Sequence, residues 1–268
     1  RRQTIPIDRP MKQMIDIISL GAGVQSSRLY LEWALHSEEP KPLCAIFADT
    51  QSEPKRVYEW LDWLESMAGH IIPIRRVTKG NLGDDILQRR KEFSGTAPFF
   101  VKGRESSGGM LRRQCTEKYK IVPLRQECRR CLKEMNTRCV NLQIGITLDE
   151  AHRMKPARVG YMKHIYPLVD RRITRQNCLN WFQSHGYPLP TKSACTFCPY
   201  HSKAAWLRMR VDDPDSFSSA VNFDASLRVT RLPGLLSDAY LHQCMIPLEE
   251  AVQQTDPQMD SLFELDGF

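Results

Sequence analysis

The sequence predicts an α/β protein built on a doubly wound, mostly parallel sheet, and three observations carry that expectation. Short, continuously apolar runs rich in β-branched residues recur through the first two-thirds of the chain. Amphipathic helical patterns separate them, and the first run breaks at a glycine-rich loop that opens a helix. Strands buried on both faces read as uninterrupted apolar runs, and strands alternating with helices pair in parallel. The first strand is Met14-Ile15-Asp16-Ile17-Ile18-Ser19-Leu20, ended by Gly21-Ala22-Gly23, and residues 29–35 carry helical periodicity. Residues 43–48 form a second strand ending at Asp49-Thr50, and residues 57–64 an amphipathic helix with Pro54 near its start. Residues 71–77 form a third strand, which Pro73 assigns to an edge because it has no N–H to donate. Residues 141–146 form a fourth strand and residues 164–169 a short fifth.

Between the third and fourth strands, residues 79–110 are rich in Gly, Ser and charge and read as a long flexible loop with a helical piece over 84–90. Loops of that length are uncommon unless functional. After Asp170 the sheet pattern stops. Residues 175–184, 203–210 and 217–228 look helical, and residues 188–202 are a Cys/Pro loop. The expected division is therefore an α/β nucleotide-binding domain over residues 14–170 and a helical, cysteine-rich C-terminal extension over residues 171–268.

Composition narrows the classes. No apolar run in the 268 residues approaches the roughly 20 needed for a bilayer-spanning helix. The stretch 14–18 is too short, and too charged at Asp16, for a signal peptide core. Nine cysteines, an odd count in a long chain, argue against a disulfide framework. Reduced thiols in a cytoplasmic setting are expected, either inert or holding a metal or cluster. A net charge of +7 and a pI near 9.0 suit a polyanionic partner and equally an ordinary solubility charge.

Several residues carry chemistry. In the loop Ser19-Leu20-Gly21-Ala22-Gly23-Val24-Gln25-Ser26-Ser27, glycines let the backbone approach an anion. The helix N-terminus adds unpaired N–H groups, and the Ser26 and Ser27 hydroxyls add donors. The loop lacks the further glycines of a dinucleotide fingerprint and the Lys of a P-loop. Asp49-Thr50 ends the second strand, where open α/β sheets bind ligands, although both residues also suit helix capping. Arg112, Arg113, Lys118 and Lys120 make a basic cluster suited to phosphate or to a solvated face. Cys195-x-x-Cys198 has metal-ligand spacing. Cys128-x-x-Cys131, with Cys139 beyond, is a rival pair, while Cys44 and Cys244 read as packing residues.

Together these segments resemble the phosphoadenosine phosphosulfate (PAPS) reductase-like branch of the PP-loop, or adenine nucleotide α-hydrolase, superfamily. Leu20 to Ser26 resembles the PP-loop in its Gln-containing form. Phe47-Ala48-Asp49-Thr50 with Glu53 is similar to the family's F-x-D-T-G…E segment, with Gln51 where the glycine stands. Cys115-Thr116…Lys120-Ile121-Val122-Pro123-Leu124 resembles its C-x-x-x-K-v-x-P-L stretch. Residues Gly145 to Arg153 occupy the place of its G-x-R-x-x-E/Q-S-x-R segment, and Tyr166-Pro167-Leu168-Val169-Asp170 resembles its P-l-i-d strand. The likeness spans residues 14–210 in consistent order.

The resemblance implies a Rossmann-like fold binding an adenine nucleotide, ATP with Mg²⁺ or PAPS/adenylylsulfate. Ser19, Gly21, Ala22, Gly23, Ser26, Ser27, Asp49, Thr50, Arg112, Arg113 and Gly145 would hold it, and Gln25, Asp49, Lys120 and Arg153 would act in catalysis. It also implies a [4Fe–4S] cluster, with zinc as the rival, on Cys115, Cys195, Cys198 and, as the proposed fourth ligand, Cys178. Three functions follow. The leading one is an ATP pyrophosphatase that adenylylates DNA or RNA for sulfur insertion, served by a cysteine desulfurase or another sulfur donor. The second is a sulfonucleotide reductase, weakened because Glu264-Leu265-Asp266-Gly267-Phe268 carries no nucleophilic cysteine. The third is a non-catalytic nucleotide- or nucleic-acid-binding module. No membrane partner is expected, and an oligomer is left open.

Overall fold

The apolar run after Met14 forms β1 (Ile15–Ser19), with Ile17 and Ile18 fully buried. The computed structural model describes residues 14–88, 97–103, 108–230, 232 and 235–253. The glycine loop leads into α1 (Val24–Leu31), which continues as a π-helical turn over Glu32–His36. Next come β2 (Cys44–Asp49), α2 (Lys55–Ala68), β3 (Ile74–Thr78) and α3 (Leu82–Leu87). The short strands β4 (Phe100–Lys102) and β5 (Gly108–Met110) precede a π-helical segment, Thr116–Ile121, that runs into α4 (Val122–Glu134). Then follow β6 (Val140–Ile144), a 3₁₀ segment (Leu148–Arg153), β7 (Met162–Ile165), α5 (Pro167–Asp170) and α6 (Arg175–Ser184). The described chain closes with α7 (Lys203–Asp212), α8 (Pro214–Thr230), β8 (Ala239–Tyr240) and α9 (Leu248–Gln253).

Five strands form one sheet in the order β3-β2-β1-β6-β7. β1 pairs in parallel with β2 and with β6, and β6 with β7, so the α/β, mostly parallel expectation holds. The strand order reverses at β1, between β2 and β6, which makes the loop after β1 the switch point where open sheets bind ligands. β3 is an edge strand, as Pro73 requires. Around the sheet, Ile17, Ile46 and Leu142 pack with Leu124, Cys128 and Cys131 of α4.

The chain divides into two compact units. The first holds the described residues up to Ala48 with Glu59–Val77 and Pro123–Lys192. The second holds Asp49–Tyr58, Thr78–Val122 and the residues from Ser193 on. This partition differs from the boundary expected after Asp170. The segments that leave the sheet after β2 and β3 have an apolar core of their own, in which Leu82, Phe99 and Tyr119 meet Phe197, Trp206 and Phe223. That unit also contains a three-stranded sheet, β5-β4-β8, antiparallel throughout, which no pattern of residues announces.

Three local expectations are corrected. The expected loop 79–110 contains α3, β4 and β5, while residues 89–96 and 104–107 lie outside the described residues. The helix expected over 84–90 starts earlier, at Leu82, because the Asn81 side chain accepts from Asp84 N–H and caps it. The fifth strand ends at Ile165. Pro167, with φ already set for a helix and no N–H to lose, opens α5 instead. Helix α6 falls on its expected residues, started by a capping box between Thr174 and Asn177.

Candidate functional site

In the first unit, the loop after β1 has the geometry of an anion cradle. Leu20 N–H still donates to Ile46 O at 2.9 Å, and the chain then turns. Ala22 takes φ 56°, a left-handed conformation that is uncommon for alanine and carries about 1–2 kcal/mol of strain. Gly23 is the N-cap of α1 and supplies no side-chain cap, so the first-turn amides keep their capacity for an external acceptor. Ser26 Oγ accepts from Gly21 N–H at 3.1 Å and donates to Gly23 O at 3.3 Å, bracing the loop. Gly145, just beyond β6, is pressed against the same turn. A Cβ there would lie 2.7 Å from Ser26 Cα and 2.8 Å from its N.

Gln25 Nε2 donates to Glu150 Oε2 at 3.1 Å, and Arg153 pairs with the same carboxylate. Gln25, Glu150 and Arg153 therefore form one network at the mouth of α1. Ser19 is the last residue of β1, in register with Ile46 and Ile144. Ser27 departs from expectation. It is fully buried, and its Oγ accepts from Trp60 Nε1 at 2.9 Å, so its hydroxyl serves the core instead of a phosphate. Ser27→Ala is expected to destabilise the protein by about 1–3 kcal/mol, because the buried indole N–H loses its acceptor. Denaturant unfolding measures this, and an unchanged midpoint would remove the bond from the account.

The second unit gathers another group of expected residues. Asp49 Oδ1 accepts from Tyr58 OH at 2.9 Å and from Gln51 N–H at 2.7 Å. Burial, and then the Asp49 carboxylate, push the Tyr58 phenol well above its ordinary range. Gln51 has φ 55°, the left-handed region where the resembled family's glycine would be at ease. Thr50 is buried, with Oγ1 3.2 Å from Cys195 Sγ, so this hydroxyl is also engaged inside the protein. Glu53 is buried, and Lys120 Nζ donates to its Oε1 at 2.9 Å while Ser193 Oγ reaches Oε2 at 3.3 Å. Burial pulls the Lys120 ammonium down, but Glu53 and the thiols of Cys195 and Cys198 outweigh it and hold the pKa above its ordinary value.

The Cys195-x-x-Cys198 turn docks on the 49–53 segment through Thr196 N–H to Ser52 O at 2.8 Å. Phe197 anchors it by stacking on Phe223, ring centres 3.9 Å apart. Burial and the adjacent Glu53 carboxylate push the Cys195 thiol up to about 12, and burial also raises Cys198. Cys115, at the start of the π-helical segment that carries Lys120, is among the charges felt by Cys198. Arg112 and Arg113 are exposed, with the Arg113 guanidinium 5.0 Å from the centre of the exposed Tyr200 ring.

Cys178 belongs to the first unit. It is fully buried on α6, with Arg28 Nη1 3.8 Å from its sulfur, and burial raises its pKa, which is the environment of a packing thiol. Among the described residues no three His, Cys, Asp or Glu side chains are grouped to hold a metal ion. They therefore supply no complete ligand set for a [4Fe–4S] cluster or for zinc. Cys128 and Cys131 are buried on α4, and Cys131 contacts Cys44 and Arg75 in the sheet core, which settles Cys44 as a core residue. Cys244, expected to pack, is exposed.

Sequence reasoning missed Tyr58, Tyr200 and Glu150 as partners of the expected site residues. Glu150 lies within the Gly145–Arg153 segment, whereas nothing local marks the two tyrosines.

A doubly wound α/β protein with a glycine-rich, uncapped turn at the switch point of its sheet is what fold and site define. No protein-family model matches the chain, and no curated protein matches it. Among solved structures the chain is similar to the U34-tRNA thiolase NcsA from Methanococcus maripaludis with its [4Fe-4S] cluster. Identity is 16% and the TM-score 0.42, over 84% of this chain and 74% of that one. No helix among the described residues is long and apolar enough to cross a membrane.

Proposed function

We propose that the protein is a PP-loop-type ATP pyrophosphatase that adenylylates an oxygen of a nucleic acid, preparing it for replacement by sulfur. The observation that carries this is the cradle after β1: an uncapped N-terminus of α1, a left-handed Ala22 and a Ser26-braced turn pressed against Gly145. Such a cradle presents backbone N–H groups and a helix dipole to phosphate. ATP, arriving with Mg²⁺, would lay its polyphosphate there. Attack of a substrate oxygen on the α-phosphorus would form the adenylyl ester and expel pyrophosphate. Gln25 and Arg153, oriented through Glu150, would donate to phosphate oxygens as negative charge develops in the transition state. Exposed Arg112 and Arg113 favour a polyanionic substrate, and Lys120, tied to Glu53, positions the segment that carries Asp49. Sulfur would come from a separate donor.

A specific feature keeps sulfonucleotide reduction as a second reading: Gln25 stands where pyrophosphatases of the resembled superfamily carry an acid. The experiment incubates the full chain with ATP and Mg²⁺, with and without RNA or DNA, and measures pyrophosphate. Release that depends on nucleic acid is the expected result. Ser26→Ala removes the Gly21 acceptor and should weaken ATP binding roughly tenfold, the size of one hydrogen bond. Sulfite from PAPS or adenylylsulfate with thioredoxin would establish the second reading instead, and nucleotide binding with neither product would mark a non-catalytic module.

A further inference from the structure

The Cys128-x-x-Cys131 motif takes no part in the cradle, yet it sets a sulfur against a different element of the sheet unit. Cys131, on α4, has its Sγ 4.0 Å from Sγ of Cys44, the first residue of β2. Both are free thiols. Sulfurs in a disulfide stand about 2.05 Å apart, so a travel of about 1 Å by each, within the range of a small side-chain rotation, would join them.

Arg75 of β3 makes the pair unequal. Its Nη1 donates to Cys131 Sγ at 3.3 Å, so Cys131 is the acceptor and the S–H between the two sulfurs belongs to Cys44. That Cys44 hydrogen bond, helped by the Arg75 charge, holds the Cys131 thiol below its ordinary range, against burial and the Glu127 and Glu134 carboxylates. The same bond, with burial, pushes the Cys44 thiol far up. Cys128, one turn back on α4, is pushed up to about 12, chiefly by burial, and stays a thiol. A sulfur disposed to be a thiolate beside one that keeps its proton is the arrangement of an attacking and a resolving cysteine. Cys131 itself is covered. Arg75, however, which lies against it, keeps 25% of its side-chain surface, and Glu134, bound to Arg75, keeps 44%. Displacement of one part-exposed guanidinium therefore admits a molecule as small as hydrogen peroxide.

We propose that Cys131 and Cys44 form an oxidative modification site, at which hydrogen peroxide joins α4 to β2 through a disulfide. The Cys131 thiolate attacks one peroxide oxygen. An S–O bond forms, the O–O bond breaks, and the departing hydroxide takes up the proton that Cys131 released, which leaves water and a sulfenic acid. Cys44 then attacks Cys131 Sγ. The S–S bond forms, the S–O bond breaks, and the Cys44 proton leaves with that oxygen as a second water. Each sulfur is oxidised by one electron, and the peroxide is reduced by two. The site stands whether or not ATP is cleaved at the cradle.

The test adds hydrogen peroxide to the reduced full chain, alkylates the remaining thiols and maps peptides without reductant. The expected product joins the Cys44 and Cys131 peptides, has lost two hydrogens and reverts with dithiothreitol. Cys128→Ala should form the same bond. Cys44→Ala should stop at the Cys131 sulfenic acid, which dimedone traps. Arg75→Gln should slow cross-linking about tenfold, because fewer Cys131 sulfurs are thiolates once the guanidinium charge is gone. Glu127 keeps Arg130 as an ion-pair partner in that variant. A Cys128–Cys131 bond in the parent overturns the inference. So do Cys44 and Cys131 recovered as alkylated free thiols after the exposed Cys244 has been fully oxidised.

Discussion

Lys120→Met should destabilise the protein by about 3 kcal/mol, the low end of the range for breaking a buried ion pair. Glu53 has no exposed side-chain surface, and its partners are Lys120 Nζ at 2.9 Å and Ser193 Oγ at 3.3 Å. With the ammonium gone, the neutral Ser193 hydroxyl is the side-chain partner that remains to the buried carboxylate among the described residues. The carboxylate is then buried without a compensating charge, which consumes folding energy. The low end applies because the Lys120 side chain keeps 35% of its surface, so water softens the pair. Glu53→Gln combined with Lys120→Met should recover most of the loss, since no buried charge is left. The pH dependence follows from the raised Lys120 pKa. A group whose folded pKa lies above its unfolded value contributes fully below the unfolded pKa, and the contribution fades as pH rises through the folded one. The parent should therefore lose this stabilisation only in strongly alkaline solution, and the single variant should lack that alkaline component. Denaturant unfolding of parent, single and double variants closes the cycle. A loss within about 0.5 kcal/mol, the range of an ordinary surface change, would show that the pair is not structural.

Gly145→Ala comes next in size, and it links stability to the cradle. The added methyl carbon would stand 2.7 Å from Ser26 Cα, 2.8 Å from Ser26 N and 3.1 Å from Gln25 C, all backbone atoms that cannot rotate aside. Either β6 withdraws or the α1 turn shifts. Overpacking of this kind is expected to take about 1–3 kcal/mol, roughly 2–4 °C of melting temperature for each kcal/mol in a chain of this size. Because the atoms struck belong to the turn that Ser26 braces, nucleotide affinity should fall together with stability. Gly21→Ala is the control for stability, since its methyl would meet only Ser26 Oγ at an ordinary 3.6 Å. Calorimetric melting with ATP titration of both variants tests this. Equal melting temperatures for the two would mean that β6 and the loop are less tightly apposed than the structure shows.

Much of the sheet unit was legible beforehand because its signals are local. β1, the glycine loop and β2 announced themselves as apolar runs ended by Gly21 and Asp49, and Pro73 placed β3 at an edge. The core of the second unit was not legible for equally physical reasons. β8 is two residues long, and its partner Phe100 lies about 140 positions away in sequence, too short and too distant for any periodicity to show. The serine pair looked alike in sequence. On a helix adjacent positions point about 100° apart, so Ser26 Oγ braces the loop while Ser27 Oγ turns to Trp60. Cys178 had suitable spacing to Cys195 along the chain, but spacing says nothing about which core a side chain joins, and α6 carries it against Arg28.

By itself, the sequence determined the α/β class, most strands and helices of the sheet unit and the glycine loop after β1. These depend on backbone preferences and side-chain patterns that act within a few residues. Only the tertiary structure decided that two units interleave along the chain, that Lys120 answers Glu53, and that Cys131 meets Cys44. Each of those outcomes depends on residues far apart in sequence finding a common desolvated neighbour, and burial, which sets the energy of a charge or an unpaired donor, exists only once the chain has folded.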